Sequence, residues 1–268
     1  MKEILMPFAF CGRLFLFLLL LAGRLQAAPA GFGRAPSAVE FRAGLEQARL
    51  PPPQAVVLDM DGVVALNSGS LWTYHGQEFL RTVAPAWVEG DLKHIKWKSL
   101  PEVHRWITQN RGATLGYEEY ARRREEVAST IYGTLAVLEP TLLETRDALE
   151  AVGVPVALAS ANTRFSVDRM IDRFQLKSAF DAVVSSDELP PDQRALGKSQ
   201  THLLALRRLG VPPHRALAVE DTTAGIEAAR KAGLFVAGLR NGFNDHEDFS
   251  AAHFVIRKIR EIIALFRR

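Results

Sequence analysis

The sequence of 268 residues contains one cysteine, Cys11, and only a small excess of one charge. A single thiol excludes an intrachain disulfide framework and any zinc site built from cysteines. The 33 basic and 30 acidic residues give a formal net charge of +3, which provides no electrostatic case for nucleic acid as a partner. Internal repeats are also lacking. Because 48% of the residues are hydrophobic, the chain can bury a substantial core in one or two domains.

The amino-terminal segment lacks an apolar run of the roughly 20 residues that a spanning helix needs. Its continuous apolar run, 14–22, follows basic residues, and residues 28–30 are Ala-Pro-Ala, a cleavage site between small residues. This layout is typical of a secretory signal peptide. We predict a signal peptide over 1–30, a linker over 31–53 with a short helix at 38–50, and an exported, periplasmic or secreted protein. The alternatives are contact with a membrane through an uncleaved anchor, or a cytoplasmic protein if the start is misassigned.

Two aspartates stand at the end of an apolar run near residue 60. Residues 55–58 are Ala-Val-Val-Leu, and Asp59, Asp61 and Gly62 follow them closely. Such a run is typical of a strand buried on both faces of a parallel sheet. Residues i and i+2 share a face of a strand, so both carboxylates can point at one spot at its carboxyl end, where α/β sheets bind ligands. A solvated Asp-Gly turn is the alternative.

Polar residues also follow two later strand-like runs. Ser160 and Asn162 end the second run, and Glu220 and Asp221 end the third. Lys198 lies between these two runs, directly after a glycine. Polar side chains at equivalent ends of three buried strands are hard to explain by surface solvation. The pattern therefore predicts a functional site at one edge of a sheet.

The alternation of strands and helices predicts an α/β fold with a doubly wound, mostly parallel sheet. The predicted strands are 55–60, 154–160, 182–185, 216–219 and 234–237. The segment 70–138, between the first two strands, has helical periodicity and no strand-like run. One crossover needs far fewer residues, so we predict an inserted helical domain there, with the core formed by 54–69 and 139–268.

These motifs, in this order, resemble those of the haloacid dehalogenase superfamily, in its magnesium-dependent phosphatase and phosphomutase branch. The resemblance runs from about residue 56 to the C-terminus. Its most specific part is 220–226, Glu-Asp-Thr-Thr-Ala-Gly-Ile. It implies a Rossmann-like core, and it implies that the inserted helices are a cap that closes over the site and selects the substrate.

The resemblance also implies a role for each catalytic residue. Asp59 would attack phosphorus, and Asp61 would act as general acid and then general base. Ser160 would hydrogen-bond a phosphoryl oxygen, and Lys198 would offset the charge between Asp59 and the phosphate. Serine follows Lys198 where the family usually has proline, and other cations are alternatives for the motif lysine. These alternatives are Arg194 and Lys177.

Mg²⁺ is the implied cofactor, because it suits a site made only of oxygen ligands. The implied ligands are Asp59, Asp61 through its carbonyl, Asp221, and Glu220 as an alternate or more distant group. The implied substrate-binding residues are Gly62, Asn162 and His75. Gly62 would leave room for close approach of a ligand. His75 would reach the site from the cap hinge, or would be a packed or surface histidine.

The predicted function is hydrolysis of a small phosphorylated metabolite through an aspartyl-phosphate. A phosphomutase of the β-phosphoglucomutase type is the second hypothesis, since it shares the same motifs. The third is a catalytically silent binding module of the same fold.

Overall fold

The computed structural model describes residues 36–48, 50–95 and 98–266, so the predicted signal peptide lies outside the described residues. In these residues no helix is both long enough and apolar enough to cross a membrane.

The core is a sheet of six parallel strands in the order β3-β2-β1-β4-β5-β6, which confirms the predicted α/β class. The strands are β1 Ala55–Leu58, β2 Val156–Ala159, β3 Ala182–Val184, β4 Ala216–Glu220, β5 Phe235–Leu239 and β6 Phe254–Ile256. Five of them match predicted strands. The prediction missed β6, because a three-residue edge strand carries too little periodicity to be recognised. The strand order places β1 and β4 side by side at the centre.

Each central strand buries both faces, since its side chains alternate between two hydrophobic clusters. In β1, Val56 and Leu58 pack in one cluster, and Ala55 and Val57 pack in the other. All four are at most 2% exposed. This explains why the run is continuously apolar rather than alternating.

Helices cover both faces of this sheet. One face is covered by α7 Leu142–Glu150, by α8 Arg164–Phe174 and by a 3₁₀ helix, Ile259–Leu265. The opposite face is covered by α10 Ser199–Leu209 and by α11 Thr223–Lys231. A short helix, α9 Pro191–Arg194, precedes α10.

Between β1 and α7, the elements of the described residues are all helical. The helices are α2 Ser68–Leu71, α3 Gln77–Val83, α4 Leu92–Ile95, α5 Leu100–Arg111 and α6 Tyr117–Thr130. Two π-helical turns, Trp72–Gly76 and Ile131–Leu135, lie near the two ends of this segment. A separate hydrophobic cluster includes Phe79, Ile107 and Tyr120 from three of these helices. We call this helical unit the cap.

The segment predicted as a linker contains a helix that packs against the sheet. Residues Ala38–Gln47 form a helix, α1, that begins at a capping box made by Ser37 and Glu40. Phe41 of α1 stacks on Phe254 at a centroid distance of 4.8 Å and meets Phe235 edge-on. A polar and proline-rich flank suggested a tether, but the apolar side of α1 is buried against the end of the sheet.

Candidate active site

The predicted site residues converge at the carboxyl ends of β1, β2 and β4. Asp59 directly follows β1, Ser160 directly follows β2, and Glu220 is the last residue of β4. The backbone N–H of Asp59 donates to the carbonyl of Val219 at 3.1 Å, which ties the end of β1 to β4. Parallel pairing of β1 with both neighbours therefore fixes the three polar ends in register.

A buried lysine joins two of these carboxylates. Lys198 Nζ lies 2.6 Å from Asp59 Oδ2 and 2.7 Å from Glu220 Oε2. The other Asp59 oxygen accepts a hydrogen bond from the Met60 backbone N–H at 2.7 Å. Among the candidate cations, the structure places Lys198 beside Asp59. The alternatives point elsewhere, since Arg194 donates to the carbonyl of Leu189 and Lys177 pairs with Asp172.

His202 extends this cluster, and the sequence reading did not single it out. Its Nε2 lies 2.9 Å from Glu220 Oε1, and the side chain is fully buried. Lys198 and His202 are four residues apart at the start of α10, so both face the same strand end. This spacing, which was visible in the sequence, is the signal that could have identified the histidine.

Asp61 is held by donors from both the core and the cap. Tyr132 donates its hydroxyl proton to Asp61 Oδ1 at 2.6 Å, and Asn162 Nδ2 donates to Asp61 Oδ2. Asn162 therefore contacts one of the two carboxylates that the sequence predicts to be catalytic. Tyr132 was not predicted, because 71 residues separate it from Asp61 and only the folded cap brings them together. Burial and the charge of Asp61 raise the pKa of Tyr132 well above its usual value, so its hydroxyl stays protonated.

Gly62 makes room for a carboxylate of the site itself. A Cβ atom built on Gly62 would lie 1.7 Å from Asp221 Oδ2, and the residue has φ +73°. Asn241 Nδ2 donates to the Gly62 carbonyl at 2.7 Å and to Asp221 Oδ2 at 3.2 Å. The space we assigned to ligand approach is thus occupied by Asp221, which Asn241 and Asn244 hold in place.

The site carries more buried negative charge than its own cations offset. Burial and the charge of Glu220 raise the pKa of Asp59 well above its usual range, against the effect of Lys198. Burial likewise raises the pKa of Asp221 to about 7. Burial alone would raise the pKa of Glu220 too, but Lys198 and His202 outweigh it and lower that pKa to about 2. Asp59 and Glu220 share the charge of Lys198, so the carboxylates of Asp59 and Asp221 lack full compensation.

This imbalance fits a divalent cation. Among the described residues, no three histidine, cysteine or acidic side chains form a ready-made metal cluster. An ion at this position would take the carboxylates of Asp59 and Asp221 and the carbonyl of Asp61, with water or substrate oxygens completing the shell. Mg²⁺ is bound in this way, by few carboxylates and several waters. Glu220 points to Lys198 and His202 instead.

The remaining predicted residues divide between the site and the cap. Ser160 is fully buried at the end of β2, and its Oγ accepts a hydrogen bond from the Asn162 backbone N–H at 3.1 Å. His75 instead lines a shallow cleft between the cap helices, beside Glu78 and Arg123. The structure records no contact of His75 with the carboxylates of the site among the residues it describes.

Comparison with known proteins decides the family. The model of the haloacid dehalogenase-like hydrolases matches residues 53–233. The chain belongs to this family. CbbY of Rhodobacter capsulatus is 29% identical over an alignment of 226 positions that covers 76% of this chain and 92% of that protein. A phosphorylated carbohydrates phosphatase of Thermotoga maritima is 24% identical over 195 residues, or 72% of this chain and 88% of that one. These relatives place the hydrolase in the phosphatase branch.

The solved structures show the same fold. CbbY from Rhodobacter sphaeroides, in complex with phosphate, matches with a TM-score of 0.64 at 21% identity, over 78% of this chain and 96% of that chain. A haloacid dehalogenase hydrolase from Entamoeba histolytica matches with a TM-score of 0.63 at 18% identity, over 80% and 99%. The Rossmann-like core of this haloacid dehalogenase-like hydrolase is thus common to proteins with very different sequences.

Proposed function

We propose that this hydrolase removes phosphate from a small phosphorylated metabolite, with Mg²⁺ as cofactor and an aspartyl-phosphate as intermediate. The observation that carries the proposal is the position of Lys198 Nζ, 2.6 Å from Asp59 Oδ2 and 2.7 Å from Glu220 Oε2. A carboxylate nucleophile needs such a fixed cation, because an anionic phosphate ester otherwise repels it. The relatives named as phosphatases support the same reaction.

The reaction needs two steps. In the first, an Asp59 oxygen bonds to phosphorus while the bond to the leaving oxygen breaks, and Asp61 gives that oxygen its proton. In the second, Asp61 takes a proton from water, whose oxygen attacks phosphorus and frees phosphate and Asp59. Lys198 offsets negative charge in both steps, and Ser160 offers a hydrogen bond to a phosphoryl oxygen. Bound Mg²⁺ would supply further neutralisation of the phosphoryl oxygens.

A panel of phosphate esters, assayed for phosphate release with Mg²⁺ and with a chelator, tests the proposal. We expect turnover only with the metal, and we expect Asp59→Asn to lower kcat/KM by more than about 10³-fold. Isomerised sugar phosphate without phosphate release would favour the mutase instead. Turnover no higher than that of Asp59→Asn on every ester would favour a silent binding module.

Export remains part of the proposal. It is supported by the apolar run at 14–22 and by the small residues at 28–30. Cell fractionation of the full chain, followed by sequencing of the mature amino terminus, tests it. Activity outside the cytoplasm with a new terminus near residue 30 is the expected result, and an intact chain in the cytoplasm would contradict it.

A further inference from the structure

Two hydrogen bonds fix the orientation of the Asp61 carboxylate in this structure. Tyr132 donates to one of its oxygens at 2.6 Å, and Asn162 donates to the other. Asn162 Nδ2 also lies 3.1 Å from the Tyr132 oxygen, so the three side chains form a closed set. Each carboxylate oxygen can accept more than one hydrogen bond, so room for a proton remains.

A second donor fixes the direction of the hydrogen bond between Tyr132 and Asp61. Trp72 Nε1 donates to the Tyr132 oxygen at 2.7 Å. An indole N–H can only donate, so the tyrosine oxygen must accept from Trp72 and its own proton must go to Asp61. Tyr132 is fully buried, so water does not compete for this proton. The hydrogen bonds from Trp72 to Tyr132 and from Tyr132 to Asp61 are therefore both donated toward Asp61.

Both aromatic residues come from the cap, at its two junctions with the core. Trp72 begins one π-helical turn, and Tyr132 lies in the other. Single π-helical turns are rare in proteins, and those that occur often lie at functional sites. The guanidinium of Arg124, on α6, lies 3.2 Å from the centre of the Trp72 ring and covers its face. The acid–base carboxylate of the core is thus oriented by a pair of side chains that the cap supplies.

We infer that Tyr132 is a positioning residue that aims the Asp61 carboxyl at the leaving oxygen of the substrate, with Trp72 fixing the tyrosine in turn. The inference rests on the proposed function, because it assigns a task to the general acid of that reaction. Without the Tyr132 hydroxyl, one Asp61 oxygen loses its partner and the carboxyl rotates away from the line of proton transfer. Steps that need this proton slow down, and steps that do not need it keep their rate.

The test compares two leaving groups in Tyr132→Phe. An alkyl phosphate needs a proton on its leaving oxygen, whereas p-nitrophenolate leaves without one. We expect kcat/KM to fall about 10- to 100-fold for a sugar phosphate and less than about 3-fold for p-nitrophenyl phosphate. The ratio kcat/KM reports only steps up to the phosphorylated enzyme, so later hydrolysis does not enter. Asp61→Asn should give the same selective loss, and adding Tyr132→Phe to it should cause little further loss.

Tyr120→Phe is the matched control, because Tyr120 is a second buried cap tyrosine, only 1% exposed, and loses the same hydroxyl. The ratio of the kcat/KM values for the two esters should stay at its wild-type value in this control. Trp72→Phe removes the N–H that donates to Tyr132 and should shift the ratio in the same direction as Tyr132→Phe. It replaces Tyr132→Phe in the test if the tyrosine variant does not fold. Equal losses on both esters, or no loss, would overturn the inference. Wild-type enzyme inactive on every ester would refute the proposed function instead.

Discussion

At the scale of single residues, Gly62 and Asp221 lie so close together that a Cβ atom on residue 62 would overlap the carboxylate. Their closeness lets the carbonyl of Gly62 and the Asp221 carboxylate share the amide of Asn241. Only a residue without a Cβ atom fits, for reasons of space as well as of backbone conformation. The sequence identified both residues but could not pair them, because Asp221 follows Gly62 by 159 positions, with strands β2, β3 and β4 between them.

We predict that Gly62→Ala loses more than about 10²-fold in kcat/KM and about 3 kcal/mol or more in the free energy of unfolding. The matched control is Gly153→Ala, since Gly153 has φ +72° and no atom within 4 Å of an added Cβ. That control should lose only the conformational cost of about 1 kcal/mol, with activity retained. Urea denaturation and kinetics of both variants provide the measurement. Equal effects in the two variants would show that the contact with Asp221 is unimportant.

At the scale of elements, helix α1 shows what patterning can miss. Short β strands and the main helices followed from their periodicity, and the site followed from polar residues at strand ends. The docking of α1 did not, because its apolar residues find their partners only in β5, in β6 and in the 3₁₀ helix near the end of the fold. A polar contact shows the same separation, because Arg42 of α1 donates to the carbonyl of Ala264, 222 positions away. Contacts between residues so far apart in the sequence leave no local sequence pattern from which they could be predicted.

We predict that Phe41→Ala lowers the free energy of unfolding by about 2 kcal/mol, because Phe41 stacks on Phe254 and meets Phe235 edge-on but is only partly buried. Val39→Ala on the same helix should change it by less than about 0.5 kcal/mol, since Val39 is 65% exposed. Both variants should keep wild-type kcat/KM, which can be checked alongside chemical denaturation. If Phe41→Ala unfolds like the wild type, α1 contributes nothing to the core.

At the scale of the whole molecule, the uncompensated carboxylates make stability depend on pH and metal together. The pKa of Asp221 rises from 3.8 to about 7 in the fold. Because the folded value lies above the unfolded one, the ionised carboxyl weakens the metal-free fold increasingly as pH rises through this window. If Asp221 binds Mg²⁺, as proposed, a proton would compete with the metal for the same oxygens below about pH 7, and each pH unit would cost roughly tenfold in apparent Mg²⁺ affinity.

We therefore predict that a fixed Mg²⁺ concentration raises Tm more at about pH 8 than at about pH 6, because binding to the folded state stabilises it by mass action. Asp221→Asn should abolish most of this difference and should make the metal-free protein more stable at the higher pH. Thermal unfolding of both proteins with Mg²⁺ and with a chelator provides the comparison. A metal effect that is equal at both pH values would contradict the role of Asp221 as a ligand.

The edge of the sheet at β6 is closed by the chain itself. The backbone N–H of Val255 donates to the carbonyl of Pro36 at 3.1 Å, so the strand's outward donor is already used. A foreign strand cannot add at this edge unless α1 first detaches. Residue 36 lies beside β6, so β5 and β4 stand between it and β1. Immobilising the enzyme through a tag ahead of residue 36 should consequently leave the site at the carboxyl end of β1 accessible to solutes.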